Sequence, residues 1–162
     1  MSITFRRLAL PALATAIMLA TSVAANAETV LRRGNGTEPE TLDPQKSTGV
    51  PEANIQYELL EGLTTYSANG DVVPGAAESW DVSDDGKTYT FHLRKDGKWS
   101  NGDPVTAGDF VFSFRRLVDP AIASDYAYMT DMIVNADKIR KGEEKDLTKL
   151  GVEAVDDSTL KI

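Results

Sequence analysis

The pattern of apolar positions predicts a β-hairpin in the middle of the chain. Between residues 88 and 93 every second position is apolar, and these residues share one face: Tyr89, Phe91 and Leu93. Such alternation is typical of an antiparallel strand with one buried face. A partner strand is expected over 79–82, with the turn Asp84-Asp85-Gly86 between the two. The same reasoning predicts a second hairpin over 152–162 and a short strand at 29–31.

A spacing of three or four between apolar residues predicts two longer helices. The first starts at Pro51, whose missing N–H costs nothing in the first turn of a helix. Its buried face is expected to contain Ile55, Leu59, Leu60 and Leu63. The second starts with a capping box formed by Thr106 and Asp109 and stops at Asp119-Pro120. Its buried face is expected to contain Phe110, Phe114, Leu117 and Val118. A third, shorter helix is expected over 133–141.

The first 27 residues have the features of an export signal. Two arginines, Arg6 and Arg7, precede an apolar run, and Ala25-Asn26-Ala27 fits a cleavage site after Ala27. A transmembrane anchor would need about 20 apolar residues, and this run is shorter and interrupted by a proline. The arginine pair also suggests twin-arginine export, but the residues around it fit general secretion better. We expect an exported chain with no stable membrane anchor.

Composition narrows the possible classes further. The 162 residues include no cysteine, which excludes a disulfide framework and a lipid-modified terminal cysteine. Without the two arginines of the leader, 15 basic residues face 25 acidic ones, a net charge of −10. Such a charge repels nucleic acid, so no nucleic-acid partner is expected. At 41% the hydrophobic content is ordinary for a globular protein, and disorder is not expected.

The sequence contains neither a Gly-x-Ser-x-Gly nucleophile motif nor a glycine-rich phosphate loop, so it gives little support to an enzyme. His92 is the only histidine, and its place on the polar face of a predicted strand favours a solvent-facing residue over a metal ligand or a base. Residues 81–86 resemble the first half of a calcium loop, but the twelfth position, which would need glutamate, is His92. A hairpin turn explains them better. We expect no catalytic residue, no metal site and no cofactor.

Two pairs of aromatic residues are candidates for ligand contact. Trp80 and Trp99 could stack on a sugar or an aromatic ligand, but their places at a strand end and in a turn favour packing. Tyr126 and Tyr128 lie in a loop after the second helix, and loops often bind ligands. For the tyrosines, ligand contact and packing are equally open on this evidence.

Eight short motifs follow one another along the chain. They are Thr41-Leu42-Asp43-Pro44, Gly49-Val50-Pro51-Glu52 with Asn54, Leu60-Glu61-Gly62-Leu63, Pro74-Gly75, Ala77-Glu78-Ser79-Trp80, TFHLRKDGKWSNGDPVTAGDF, Val118-Asp119-Pro120 and LGVEAVDDSTL. In this order they resemble the oligopeptide-binding branch of the family 5 solute-binding proteins, the peptide receptors of ABC importers. Members are several times longer. The last predicted strand also breaks off at Ile162, so we expect an N-terminal fragment.

The resemblance implies an α/β fold, the N-terminal part of a two-lobed, type II-like periplasmic binding protein with an extra small α+β domain. Residues 28–60 would begin the first ligand-binding lobe, and 61–162 would form most of the small accessory domain, truncated at its end. The implied function is to bind extended oligopeptides by main-chain hydrogen bonds in the periplasm and to deliver them to an ABC permease. A monomer is expected at full length. The same scaffold could instead bind a dipeptide, a murein peptide or a metal chelate, or serve as an exported chaperone or adhesion module.

Three ligand-binding residues are also implied by the resemblance: Gly49, Val50 and Tyr126. Gly49 and Val50 precede the first helix, where the family lines the peptide, and a glycine lets two backbones approach closely. Tyr126 matches a loop tyrosine that reaches over the ligand. Thr48 occupies a position that is often acidic in the oligopeptide receptors. This departure argues against a charge contact with the peptide at that point.

Overall fold

The computed structural model describes residues 30–162. The leader and its cleavage site lie outside the described residues, as does Thr29 of the first predicted strand. Val30–Gly34 belong to a separate unit and contain no regular secondary structure. The strand predicted at 29–31 is therefore wrong at Val30 and Leu31, and no strand among the described residues pairs with them. A strand needs such a neighbour to take up its main-chain hydrogen bonds.

The strands of the described residues form two antiparallel sheets. A small hairpin consists of β1 (Thr64–Tyr66) and β2 (Val72–Pro74). The main sheet has the order β3-β4-β6-β5 and is built from β3 (Ala77–Val82), β4 (Tyr89–Leu93), β5 (Glu153–Asp156) and β6 (Thr159–Lys161). Both predicted hairpins are confirmed. The small hairpin escaped sequence analysis because three-residue strands are too short to show a period of two.

The helices of the described residues are α1 (Val50–Leu59), α2 (Ala107–Val118) and α3 (Ala136–Arg140), with 3₁₀ turns at Ala127–Thr130 and Leu147–Lys149. The capping box predicted for α2 is confirmed, since the Thr106 N–H donates to the Asp109 carboxylate at 2.7 Å. Helix α3 is shorter than predicted. Asn135, immediately before it, has a left-handed φ of 65°, which no right-handed helix can contain.

The buried face predicted for α1 is wrong at Leu59 and Leu60, whereas Ile55 is partly buried and Leu63, beyond the end of the helix, packs against the core while partly exposed. Leu59 is 67% exposed and Leu60 is also exposed, whereas the buried residue of the helix is Glu52, which is 3% exposed. Pro51 is the second residue of α1, after Val50. Polar contacts anchor this helix, and apolar periodicity gives no sign of them.

The hydrophobic core lies between the main sheet, α2 and α3. Its buried members are Ala77, Leu93, Ala107, Val111, Val118, Ala136, Ile139, Leu150, Val152 and Leu160. Phe110 and Phe114, predicted for the buried face of α2, pack against this core while partly exposed. Val118 is buried as predicted. Val111, which was not predicted, is also buried, whereas Leu117 is only partly buried. The core therefore fixes α2 on the sheet.

Candidate functional site

The segment Thr48–Val50 leads into helix α1, with Gly49 in an extended conformation and Val50 as the first residue of the helix. Gly49 is the N-cap residue, with φ −101° and ψ 161°, and its carbonyl oxygen accepts a hydrogen bond from the Ala53 N–H at 3.2 Å. Val50 is 73% exposed. Among the described residues, nothing accepts a hydrogen bond from the backbone N–H groups of Thr48 and Val50. The segment thus presents main-chain donors and an apolar side chain to solvent.

Tyr126 lies beside this segment. Its hydroxyl donates to the Thr48 carbonyl oxygen at 3.4 Å, across 78 residues of sequence. The centre of its ring is 6.3 Å from that of Tyr128. Both tyrosines are exposed, whereas Ala127 and Thr130 of the 3₁₀ turn that contains Tyr128 are buried and anchor this turn. The structure therefore brings together the three residues for which the sequence predicts ligand contact, and Tyr128 adds a second ring.

A polar network holds the preceding loop against α2. Arg116 of α2 forms an ion pair with Asp43, and it also contacts the Gln45 side-chain oxygen. Gln45 in turn donates to the Ser113 carbonyl oxygen at 2.8 Å. Hydrogen bonding to Arg116 lowers the pKa of Asp43 to about 2. These contacts join residues on either side of the domain boundary that is expected after residue 60. The division into two domains stays a prediction.

Glu52 is the residue of this region that sequence analysis missed. Its Oε1 accepts a hydrogen bond from the Glu40 N–H at 2.6 Å. Main-chain N–H groups, that of Glu40 foremost, hold the pKa of the Glu52 carboxyl below its usual range. The sequence did contain an indication of this role, because Glu52 lies three residues after the N-cap residue Gly49, which is the position of the glutamate in a capping box.

The two tryptophans and His92, which were the other candidates, lie away from Thr48–Val50 and make contacts within the fold. Trp80 packs against Phe91, with ring centres 6.3 Å apart. Trp99 is about half exposed, and its Nε1 donates to Asp109 at 3.4 Å. His92, partly exposed on β4, lies 2.8 Å from the Asp81 carboxylate across the hairpin. The packing predicted for the tryptophans is therefore confirmed for Trp80 and is only partial for Trp99.

Residues 81–86 form the predicted hairpin turn. The Ser83 hydroxyl donates to Asp85 at 2.6 Å, and the Gly86 N–H donates to the Ser83 carbonyl oxygen at 2.8 Å. Across residues 30–162, no group of three or more histidine or acidic side chains is arranged to hold a metal ion. Over the same stretch, the helices are too short and too polar to cross a membrane.

Two grooves open on the surface away from the three predicted site residues. One, of about 1130 Å³, lies between α2, the 3₁₀ turn Leu147–Lys149 and the β5–β6 end of the sheet. The other, of about 690 Å³, lies between the end of α1 and β1. Neither is lined by Gly49, Val50 or Tyr126. In this structure the candidate site is an open surface.

Comparisons with known proteins identify the family. Residues 71–162 match the sequence model of the bacterial extracellular solute-binding proteins, family 5 Middle. The periplasmic oligopeptide-binding protein OppA of Haemophilus influenzae is 59% identical over 127 residues, which cover 77% of this chain and 23% of that protein. The Escherichia coli protein of the same name is 52% identical over 134 residues, or 82% of this chain and 24% of that one.

A solved structure gives the same result. Haemophilus influenzae OppA in complex with the peptide RPPGFSPFR has a TM-score of 0.74 and 55% identity, over 79% of this chain and 25% of that one. The chain thus spans about a quarter of the length of these relatives. The resemblance found in the sequence and the α/β fold are confirmed, and the chain belongs to the bacterial extracellular solute-binding proteins of family 5.

Proposed function

We propose that this chain is part of the substrate-binding component of an ABC transporter, which binds oligopeptides in extended form and delivers them to the permease. It acts in the periplasm as a monomer and is not an enzyme. Two relatives are named as periplasmic oligopeptide-binding proteins, and one solved relative holds a nine-residue peptide. These names support the ligand class and the compartment. The transport role is supported by a solved Bacillus anthracis relative, 48% identical, which is described as the substrate-binding domain of an oligopeptide ABC transporter.

The observation that carries the proposal is the arrangement of Tyr126 and the segment Thr48–Val50. The segment is extended at Gly49 and enters α1 at Val50, and the N–H groups of Thr48 and Val50 have no acceptor among the described residues. An extended peptide could accept those hydrogen bonds with its own carbonyl oxygens, as in the addition of a strand to a sheet edge. Gly49, Val50 and Tyr126 are the contacts we propose. Main-chain pairing of this kind gives affinity without requiring a particular peptide sequence.

Calorimetric titration with tri-alanine tests the ligand class, with free alanine as the control. We expect heat with tri-alanine and none with alanine. Absence of heat with tri-alanine and with longer alanine peptides would show the oligopeptide proposal to be wrong. Titration with a dipeptide, a murein tripeptide and a metal chelate would then examine the other ligands that this scaffold could take.

A matched pair of peptides tests the main-chain mode of binding. Tri-serine has other side chains on the same backbone, so its affinity should lie within about tenfold of that of tri-alanine. Tri-alanine with an N-methyl group on its central residue has lost a main-chain donor and should bind more weakly than tri-serine. The reverse order would point to recognition of side chains.

The export signal is tested separately. We propose cleavage after Ala27, which predicts that the exported protein begins with Glu28. N-terminal sequencing of protein recovered from a periplasmic extract measures this directly. An intact leader on the recovered protein would contradict the proposed cleavage.

A further inference from the structure

Helix α1 buries a carboxylate where a core helix usually buries an apolar side chain. Glu52 is 3% exposed, although acidic side chains are rarely buried unless they are paired or hydrogen-bonded. Its Oε1 accepts the Glu40 N–H at 2.6 Å, a bond that links residues 12 apart. Such charge-assisted bonds are short and strong, because a charged acceptor strengthens the electrostatic attraction. The carboxylate therefore fastens α1 to the chain around Glu40.

The same carboxylate explains why residue 49 is glycine. A Cβ atom on Gly49 would lie 2.2 Å from Glu52 Oε2 and 3.2 Å from its Cδ. Any other residue would displace the buried Oε2, and with it the Oε1 atom that accepts the hydrogen bond from Glu40. This reason is distinct from the close approach of a ligand backbone. It makes the course of Thr48–Val50 depend on Glu52.

Two asparagines reinforce the attachment. The Asn35 side-chain amide donates to the Pro51 carbonyl oxygen at 3.2 Å, and the Asn54 amide donates to the Asn35 side-chain oxygen at 3.2 Å. The first turns of α1 are thus tied to residues 35–40 at several points. Because Val50 begins this helix, a change at the attachment is transmitted to the segment before it.

We propose that Glu52 is a positioning residue of the candidate peptide site, whose buried carboxylate sets the course of Thr48–Val50 without touching the ligand. The inference rests on the proposed function, because the segment is a peptide contact only if the protein binds peptides. It goes beyond that function because Glu52, which lies outside the contact surface, is held responsible for the position of the Thr48 and Val50 N–H groups.

A double-mutant cycle on the chain tests the coupling without any ligand. In the unmodified background, Gly49→Ala should lower the Tm by about 5 °C, because the new methyl group displaces the carboxylate. In the Glu52→Ala background the same change should shift the Tm by less than about 1 °C. Gly108→Ala is the matched control, since its Cβ would meet the Thr106 Oγ1 at an ordinary 3.4 Å. Equal shifts for Gly49→Ala in both backgrounds would overturn the proposal.

Amide hydrogen exchange gives a local readout. The Glu40 amide should exchange at least about tenfold faster in Glu52→Ala than in the unmodified chain, since it loses its acceptor. Glu52→Gln keeps an oxygen in place of Oε1 and should retain most of the protection. This second variant keeps the test valid if Glu52→Ala folds poorly. Unchanged exchange at Glu40 in both variants would contradict the proposed attachment.

A binding measurement separates positioning from general stability. Glu52→Ala should weaken tri-alanine binding about tenfold, because a mobile segment must be ordered at the cost of affinity. Val118→Ala removes part of a core side chain on α2 and should lower the Tm while leaving affinity unchanged. Equal loss of affinity in both variants would reduce Glu52 to a structural role. If the unmodified protein gives no heat with tri-alanine while the cycle shows coupling, the proposed function is wrong, and Glu52 still controls this segment.

Discussion

Arg116 donates hydrogen bonds to both carboxylate oxygens of Asp43, at 2.8 Å to Oδ1 and 2.5 Å to Oδ2. The two residues are 73 positions apart, and their side chains are 28% and 26% exposed. Planar two-point contacts of this kind are more specific than a single ion pair. The pair joins α2, which the core fixes on the main sheet, to the loop that precedes Thr48–Val50. The place of the candidate site therefore depends on a contact between distant parts of the chain.

Replacing Asp43 by asparagine should destabilise the protein. Asn keeps the size of the side chain but removes the charge and turns an NH₂ group towards the guanidinium. We expect Asp43→Asn to lower the Tm by about 5 °C, as the loss of charge-assisted bonds implies. Asp84→Asn, at an exposed turn position, is the control and should leave the Tm unchanged. Similar Tm values for the two variants would show that the ion pair contributes nothing.

The same pair predicts a pH dependence. Hydrogen bonding to Arg116 lowers the pKa of Asp43 from 3.8 to about 2. A carboxyl whose pKa is depressed by folding stabilises the folded state above its unfolded pKa, and that contribution disappears as the pH falls through its folded pKa. The free energy of unfolding of the unmodified chain should therefore approach that of Asp43→Asn between about pH 4 and pH 2. Urea denaturation at several pH values measures this. A difference that is the same at pH 5 and pH 2 would contradict it.

Gly75 is predicted to tolerate no side chain. A Cβ there would lie 2.5 Å from the Gly62 carbonyl oxygen and 3.2 Å from that of Leu63, both of which are backbone atoms. The Gly75 and Ala76 N–H groups also donate to these two carbonyls. We expect Gly75→Ala to cost about 1–3 kcal/mol of unfolding free energy, because the two backbones must separate.

Gly108→Ala again provides the comparison for Gly75→Ala. It lies in α2, where alanine is favoured over glycine by up to about 1 kcal/mol, so it should be neutral or stabilising. Urea denaturation of both variants gives the difference directly. If Gly75→Ala were as stable as Gly108→Ala, the close approach of the two backbones would not be present in solution.

Tyr126 is predicted to act through its ring more than through its hydroxyl. The hydroxyl bond to Thr48 is long, at 3.4 Å, and exposed. Tyr126→Phe should therefore shift the Tm by no more than about 2 °C. Tyr126→Ala should weaken tri-alanine binding about tenfold, because it removes the aromatic surface beside the main-chain donors. Calorimetry with Tyr66→Ala, an exposed tyrosine on β1, is the control. Unaltered affinity in Tyr126→Ala would remove this residue from the proposed site.

Local patterns predicted the main sheet and α2 well. Alternation between residues 88 and 93 identified β4, and the Thr106–Asp109 capping box marked the start of α2. These signals are reliable because they depend on neighbours a few residues apart. Helix α1 was also predicted from a local pattern, but the pattern did not predict which face of the helix is buried. Its anchor is the buried Glu52, and a hydrogen bond to Glu40 leaves no trace in hydrophobic spacing.

The amino-acid sequence alone determined the family, the two hairpins of the main sheet, the limits of α2 and the three residues proposed to contact ligand. All of these follow from short motifs or from contacts within a hairpin or a helical turn. Only the tertiary structure decided that Tyr126 lies beside Thr48, that Arg116 holds Asp43, and that the carboxylate of Glu52 occupies the space beside Gly49. Such contacts depend on how the core places α2 and the loops around it. Directed hydrogen bonds between side chains and distant backbone then select one arrangement, and no local periodicity encodes that choice.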